Sequence, residues 1–366
     1  MRSSNASSYL SRLDHLRFVA AALVIVYHFS IRQVGAIGTA NPLLSLIDEG
    51  HTGVALFMVM SGFIFAVIAY GKDIDYGAFL RNRFIRIYPL YLFALLLSVY
   101  IGRQNYGFMD VLGALAPFLN LRNPPSVNSF DQLWTIAVEF QFYLIFPFLC
   151  AFHQRRGLSY LLGLLGLLVL CRALVYGVYG TIQDLSYWTI FGRLDQFLIG
   201  MMLGAAYRTR PGVLSHPLYL LAFIALLLGG VQWFNNVGGF YGVSYPSQAA
   251  YWVVLPTLEG LLWGGIVLAY VNCRIRVPRI MDQALAWLGQ ISFSLYVMHN
   301  LVIFFLLKHV GAVPFRAGHD VFNTVMTGAL VALPLTIGLA SLTYYLIEAP
   351  FLEYRVRYVR QQAPTP

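Results

Sequence analysis

Charge is the scarcest ingredient of this 366-residue chain: Asp, Glu, Lys and Arg make up 11% of it, against 59% hydrophobic residues. An average soluble domain carries about 25% charge, so the composition excludes an ordinary water-soluble fold. Long polar stretches are missing as well. No segment between apolar runs exceeds about 30 residues, so residues 1–366 are expected to form one integral-membrane domain with no appended soluble domain. Cysteine is almost absent. Cys150, Cys171 and Cys273 have no paired spacing, which excludes both a disulfide framework and a thiolate metal site. There is no HExxH pattern, no glycine-rich phosphate loop and no visible internal repeat. Neither a metal nor a permanently bound cofactor is therefore expected. The first apolar run lacks a small-residue cleavage site and is followed by further runs, so it reads as an uncleaved first span. The net charge of +9 is spread through short loops, a pattern that speaks for a lipid bilayer and against nucleic acid as a partner.

What is present is a series of ten apolar runs, at about 14–34, 52–70, 87–102, 131–152, 158–178, 187–207, 217–234, 249–271, 283–307 and 322–348. Each approaches the ~20 residues needed to cross a bilayer. The expected fold class is an all-α polytopic membrane protein with about ten transmembrane helices. The piece near 108–119 reads as an interfacial or re-entrant helix. Trp188, Trp233, Trp252 and Tyr91 lie near run ends, as interface anchors do. With the N-terminus inside, sixteen Lys and Arg residues fall on the inner side. Five (Arg32, Arg103, Arg122, Lys308 and Arg316) fall outside. Both termini are thus expected in the cytoplasm. The Ser/Asn-rich N-terminal arm and the final QQAPTP are expected to be mobile.

Polar residues inside these runs are few enough to weigh one by one. Arg17 and His28, eleven positions apart, fall on one helix face roughly 16 Å apart along the axis. Such groups are costly at depth and mark function; the structural alternative has Arg17 snorkelling and His28 satisfied in the core. Ser61-Gly62 interrupts an otherwise Met- and Phe-rich run, either as a close helix contact or as backbone freed for a substrate. In FLRNRFIRIYPLY, Arg83 and Arg86 share a helix face and Pro89 is expected to break the helix where the next span begins. Paired guanidiniums suit phosphate oxygens, although ordinary inner-side charge would look the same. Glu139, about eight residues into its run, needs neutralisation or a partner, His28 or an arginine. Ser292 and His299, seven apart, also share a face, and Glu348-Ala349-Pro350 closes the last run. Arg193 and Asp195 read as a further intramembrane charge pair with a structural or gating role.

The ordered set of Arg17 and His28, MSGF, Arg83/Arg86, LWTIAVEFQFY, SFSLYVMH and YLIEAPF resembles membrane acyltransferase family 3. That group includes O-antigen and exopolysaccharide acetylases. The resemblance covers residues from about 9 to 353. It implies transfer of an acyl group, commonly acetyl from acetyl-CoA or another acyl-CoA, to a hydroxyl of a carbohydrate or glycoside acceptor such as a surface polysaccharide or its precursor. It further implies a bacterial inner (plasma) membrane and the single-component type without a hydrolase-like domain. Arg17 and His28 match the family's arginine-to-histidine motif, Arg83 and Arg86 its basic motif, and Glu139 its acidic position. Acyl transfer needs a base, an oxyanion contact and a donor phosphate site. Here the expectation is His28 as base, Glu139 as its orienter, and Arg83 and Arg86 (with Arg17) on the donor. Ser61, Ser292, His299 or Arg17 could contact substrate or oxyanion. Direct transfer and an acyl-enzyme through His28 both remain open. The competing class is a transporter or flippase using Arg17, His28 and Glu139 as a proton or substrate relay. A purely structural subunit is a third class, which leaves the buried polar set without a purpose.

Overall fold

The structure, a computed structural model, describes residues 9–102, 107, 108, 111, 115, 131–242 and 244–361. The expected re-entrant piece at 108–119 falls almost wholly outside these residues, as do Arg103, Arg122, residues 1–8 and residues 362–366.

Among the described residues the chain is helical except for two three-residue strands. In order, the first half comprises α1 (Ser11–Val34), α2 (Pro42–Asp48), α3 (Gly53–Ala69), β1 (Lys72–Ile74), α4 (Tyr76–Ile101), α5 (Trp134–Arg156) and α6 (Leu158–Tyr179). There follow α7 (Gln183–Trp188), α8 (Ile190–Thr209), α9 (Pro217–Asn236), α10 (Leu255–Asn272), α11 (Arg279–Gln290) and α12 (Ser292–His309). The long α13 (Asp320–Leu352) and β2 (Val359–Gln361) complete the chain. Among the described residues, eight helices are long and apolar enough to cross a membrane: α1, α3 with its leading turn, α4, α5, α6, α9, α12 and α13. The two other expected runs do form helices, α8 and α10, but they are not among those eight. Each carries charge inside, Arg193 and Asp195 in α8 and Glu259 in α10, and α8 keeps its two charges fully buried.

Close packing explains Gly62. A Cβ at Gly62 would lie 2.1 Å from the Phe197 carbonyl oxygen, and one at Gly200 would lie 2.1 Å from that of Val59. Gly204, four residues on, sits likewise on Phe63. The backbones of α3 and α8 therefore touch through small residues on both sides, the usual way to gain contact where lipid offers no hydrophobic drive. Helix α3 runs through Ser61-Gly62 without interruption. Gly62→Ala is accordingly expected to cost about 1–3 kcal/mol by overpacking. Unfolding in detergent measures this, and unchanged stability would mean the two helices can separate freely.

Two other expectations change. Helix α4 begins at Tyr76, with the Asp75 side chain accepting from the Ala78 amide at 3.0 Å, and continues through Pro89. The proline removes one bond to the preceding turn, but Phe79, Ile87, Leu90 and Tyr91 are buried on both sides of it, and packing holds the helix together. Arg193 and Asp195 do not pair with each other. Two positions along a helix diverge by about 200°, so Asp195 meets Arg172 at 2.9 Å while Arg193 meets Glu259 at 3.2 Å. The Arg172–Asp195 pair is fully buried, and Arg193 is buried while Glu259 keeps 16% exposure.

Two π-helical turns, Gly328–Ala332 and Tyr344–Glu348, interrupt α13. The second places Glu348, 1% exposed, against Arg86 of α4 at 3.1 Å. Such turns recur where a helix must re-aim a side chain. Helix α13 continues through Pro350 to Leu352 before it stops.

Candidate active site

A cavity of about 1240 Å³ opens between α1, α3, α4, α5 and α12. It exceeds the ~300–1,000 Å³ typical of small-molecule pockets. Tyr9 and Tyr358, near the two ends of the described chain, line it together with Val54, Thr135 and Tyr296. Arg17, Ser61, Arg83, Arg86, Glu139 and Ser292 all line its walls. Six of the eight residues singled out from sequence thus share one space. His28 and His299 do not line it.

Each wall residue has a distinct environment. Arg17 bonds Asp14 at 2.6 Å, one turn earlier on α1, and Asp14 in turn accepts from the Tyr9 hydroxyl at 2.7 Å. Glu139 accepts from the Ser61 hydroxyl at 2.9 Å and from Tyr143, one turn along α5. Arg86 is ion-paired with buried Glu348 and lies over the Phe293 ring. Arg83 lies over Phe65 at 5.0 Å and near Tyr143 at 5.8 Å. Its Nε is buried without a hydrogen-bond partner, and among the described residues Arg83 has no carboxylate partner. A guanidinium resting on aromatic faces keeps its donors available.

His28 finds a different partner from the one expected. Its Nδ1 lies 3.0 Å from Nε2 of His299, while Nδ1 of His299 lies 2.6 Å from the Tyr296 carbonyl oxygen. A carbonyl only accepts, so Nδ1 of His299 carries the hydrogen and, in the neutral ring, its Nε2 is the acceptor. Nδ1 of His28 must then donate, which leaves the lone pair of His28 on Nε2. Glu139 and His28 are not bonded: the depth estimate matched them, but the carboxylate is taken up by Ser61 and Tyr143. The two regions nonetheless meet at Tyr296. Its hydroxyl is 2.8 Å from Thr135 on the cavity wall, and its ring stands 5.6 Å from that of His299.

Some of these residues carried no sequence signal strong enough to single them out. Tyr143 could have been found as the neighbour of Glu139 four positions on. Glu348 lay in a noted run but without a role, and its contact with Arg86 spans 262 positions of sequence. Arg355 and Tyr358, which also line the cavity, sit in a tail that reads from sequence as ordinary basic, polar ending.

The sequence profile of the acyltransferase domain family, acyltransferase family 3, matches residues 10–345. The chain is similar to acyltransferase MdmB of Streptomyces mycarofaciens, with 25% identity over 93% of this chain and 91% of that protein. It is also similar to the provisionally named peptidoglycan O-acetyltransferase YrhL of Bacillus subtilis, with 25% identity over 93% of this chain and 55% of that one. A provisionally named O-acetyltransferase of Staphylococcus aureus strain COL is 24% identical over 96% of this chain and 60% of its own length. The chain thus spans little more than half the length of the latter two. No solved structure matches it. With its buried polar set on a multi-pass helical frame and a profile match along nearly its whole length, the chain belongs to acyltransferase family 3 and is a membrane O-acyltransferase.

Proposed function

We propose that the enzyme moves an acyl group, acetyl in the simplest case, from acyl-CoA to a hydroxyl of a sugar-containing acceptor such as a surface polysaccharide or its precursor. The observation that carries this reading is that one cavity is lined both by donor-type arginines and by the residue that contacts a histidine pair. The cavity is lined by Arg83, which has no ion pair among the described residues, and by Tyr296, which contacts His299. The bonding of His299 to His28 leaves a lone pair on Nε2 of His28. Arg83 and Arg86 suit the phosphates of coenzyme A, and the flexible pantetheine arm would carry the thioester inward along the wall containing Ser61 and Ser292. At the inner end, His28 takes the proton of the acceptor hydroxyl as its oxygen bonds to the acyl carbon. The C–S bond then breaks, and the proton leaves with the thiolate of CoA. His299 orients His28, and Glu139 fixes Ser61 and Tyr143 along the donor path. Arg17, held by Asp14, completes the basic wall.

In this reading the cavity mouth and both termini face the cytoplasm, where acyl-CoA is made, and the frame is a single domain of a bacterial inner membrane. The charge bias of the loops supports that orientation. The test uses purified protein in lipid nanodiscs with acetyl-labelled acetyl-CoA and a panel of glycan acceptors. Label transferred to a glycan, with release of CoA, is the expected outcome. Neither transfer nor CoA release across a broad panel would overturn the donor and acceptor assignments together. Mass spectrometry of surface glycans from cells with and without the protein identifies the acceptor by the mass of the added acyl group.

A further inference from the structure

The tail that follows the last span is built into the cavity. After α13 ends at Leu352, residues 354–361 run back across the start of α4. The Asn82 side chain clamps residue 356 from both sides, donating to the Val356 carbonyl at 2.6 Å and accepting from its amide at 2.9 Å. The Asp75 amide donates to the Tyr358 carbonyl at 2.8 Å, and the Asp75 carboxylate bonds Arg360 at 2.7 Å. Strand β2 then pairs antiparallel with β1, Ile74 opposite Val359 and Lys72 opposite Gln361. Tyr358, 3% exposed, is sealed against Phe79 with ring centroids 5.3 Å apart. A terminal segment tied down at this many points is ordered for a reason.

What the tail delivers is a guanidinium. Arg355 lines the same cavity as Arg83 and Arg86, and its Nε donates to the Leu352 carbonyl at 3.2 Å. Among the described residues no carboxylate lies within ion-pair distance of it, and Glu353, which also lines the cavity, makes no ion pair with it or with Arg83. Burial first, and then the Arg86 and Arg83 guanidiniums, push Arg355 down to about 10, so it remains a cation at neutral pH in the company of like charge. Of the four arginines that line this space, Arg17 is ion-paired with Asp14 and Arg86 with Glu348, while the lining carboxylate of Glu139 accepts from Ser61 and Tyr143. Glu348 also acts on Arg355 at longer range. Arg83 and Arg355 are the two guanidiniums of the four that an incoming phosphate could engage.

We propose that Arg355 is a further donor-binding residue, held at the mouth of the cavity by the strapped tail, where it binds a phosphate group of the acyl-CoA nucleotide together with Arg83. The inference rests on the reading of acyl-CoA as donor. It assigns the tail a part in recognising the nucleotide end, and none in the acyl transfer itself.

Coenzyme A and pantetheine, which lacks the nucleotide and its phosphates, separate the two ideas. Binding of each to the full-length protein in nanodiscs is measured by calorimetry for wild type, Arg355→Ala, Arg355→Lys and Asn82→Ala. Arg355→Ala is expected to weaken CoA about tenfold, the loss of one charge-assisted contact, and to leave pantetheine binding as in wild type. Arg355→Lys should recover part of the loss, and Asn82→Ala, which frees the tail while keeping its charge, should weaken CoA in the same selective way. CoA binding by Arg355→Ala equal to that of wild type, or equal losses for CoA and pantetheine, overturns the assignment. Should Arg355→Ala fail to fold, Arg355→Lys and Asn82→Ala decide the matter by the same comparison of the two ligands. Wild-type protein that binds no CoA would instead overturn the donor reading, and this inference with it.

Discussion

Replacing His28 with alanine is expected to lower acyl transfer about 1,000-fold, in the range lost with a general base, while CoA binding in nanodiscs stays within about a factor of two of wild type. The separation follows from the geometry. His28 bonds His299 and takes no part in lining the cavity, so the donor's phosphate contacts survive the change. His299 is expected to recover only a small part of the rate. Its Nδ1 hydrogen is committed to the Tyr296 carbonyl, and without His28 its Nε2 points at the gap where the base stood. The His299→Gln variant is informative beside it, because an amide oxygen can still accept from Nδ1 of His28. That variant should lose less than His28→Ala does. Transfer at the wild-type rate by His28→Ala, with CoA binding intact, would remove the base assignment altogether.

Much of this arrangement is legible in the sequence, and what is not has identifiable causes. The membrane class follows from scarce charge and ten apolar runs, because the bilayer leaves few ways to satisfy a backbone. Helical periodicity places Arg17 and His28 on one stripe, and both do project from one helix. It says nothing of which neighbour each meets. Arg17 finds Asp14 within its own helix, whereas His28 finds His299, 271 positions away. Glu139 and His28 seemed matched by depth, but depth is one coordinate of three, and rotation of α5 turns the carboxylate toward Ser61 and Tyr143. The Ser61-Gly62 pair divides between two roles that local sequence could only offer as alternatives: the glycine packs on Phe197 and the serine faces the cavity. Charges at i and i+2 such as Arg193 and Asp195 point apart, so their proximity in sequence misleads. The tail shows the same limit most plainly, since Asn82 and Val356 meet only through the tertiary fold.

Arg83→Ala and Arg86→Ala should fail in different ways, although sequence presents the two arginines as equals. Arg83 has no carboxylate to strand, so its loss removes a phosphate donor and little else. Donor KM should rise about tenfold to a hundredfold, as for one charged hydrogen bond of about 1.5–3 kcal/mol, with expression and melting unchanged. Arg86 neutralises Glu348, whose side chain is 1% exposed. Removing it leaves a buried carboxylate unpaired, a loss of about 3–5 kcal/mol, and thermal unfolding in detergent should register that before any assay of activity. The double variant Arg86→Ala/Glu348→Gln removes both charges at once. It should regain most of the stability yet still bind acyl-CoA more weakly than wild type, because the phosphate contact has gone even though the ion pair is no longer missed. Equal donor affinity in that double variant and in wild type would reduce Arg86 to a structural partner of the last span, leaving Arg83 and Arg355 to hold the donor.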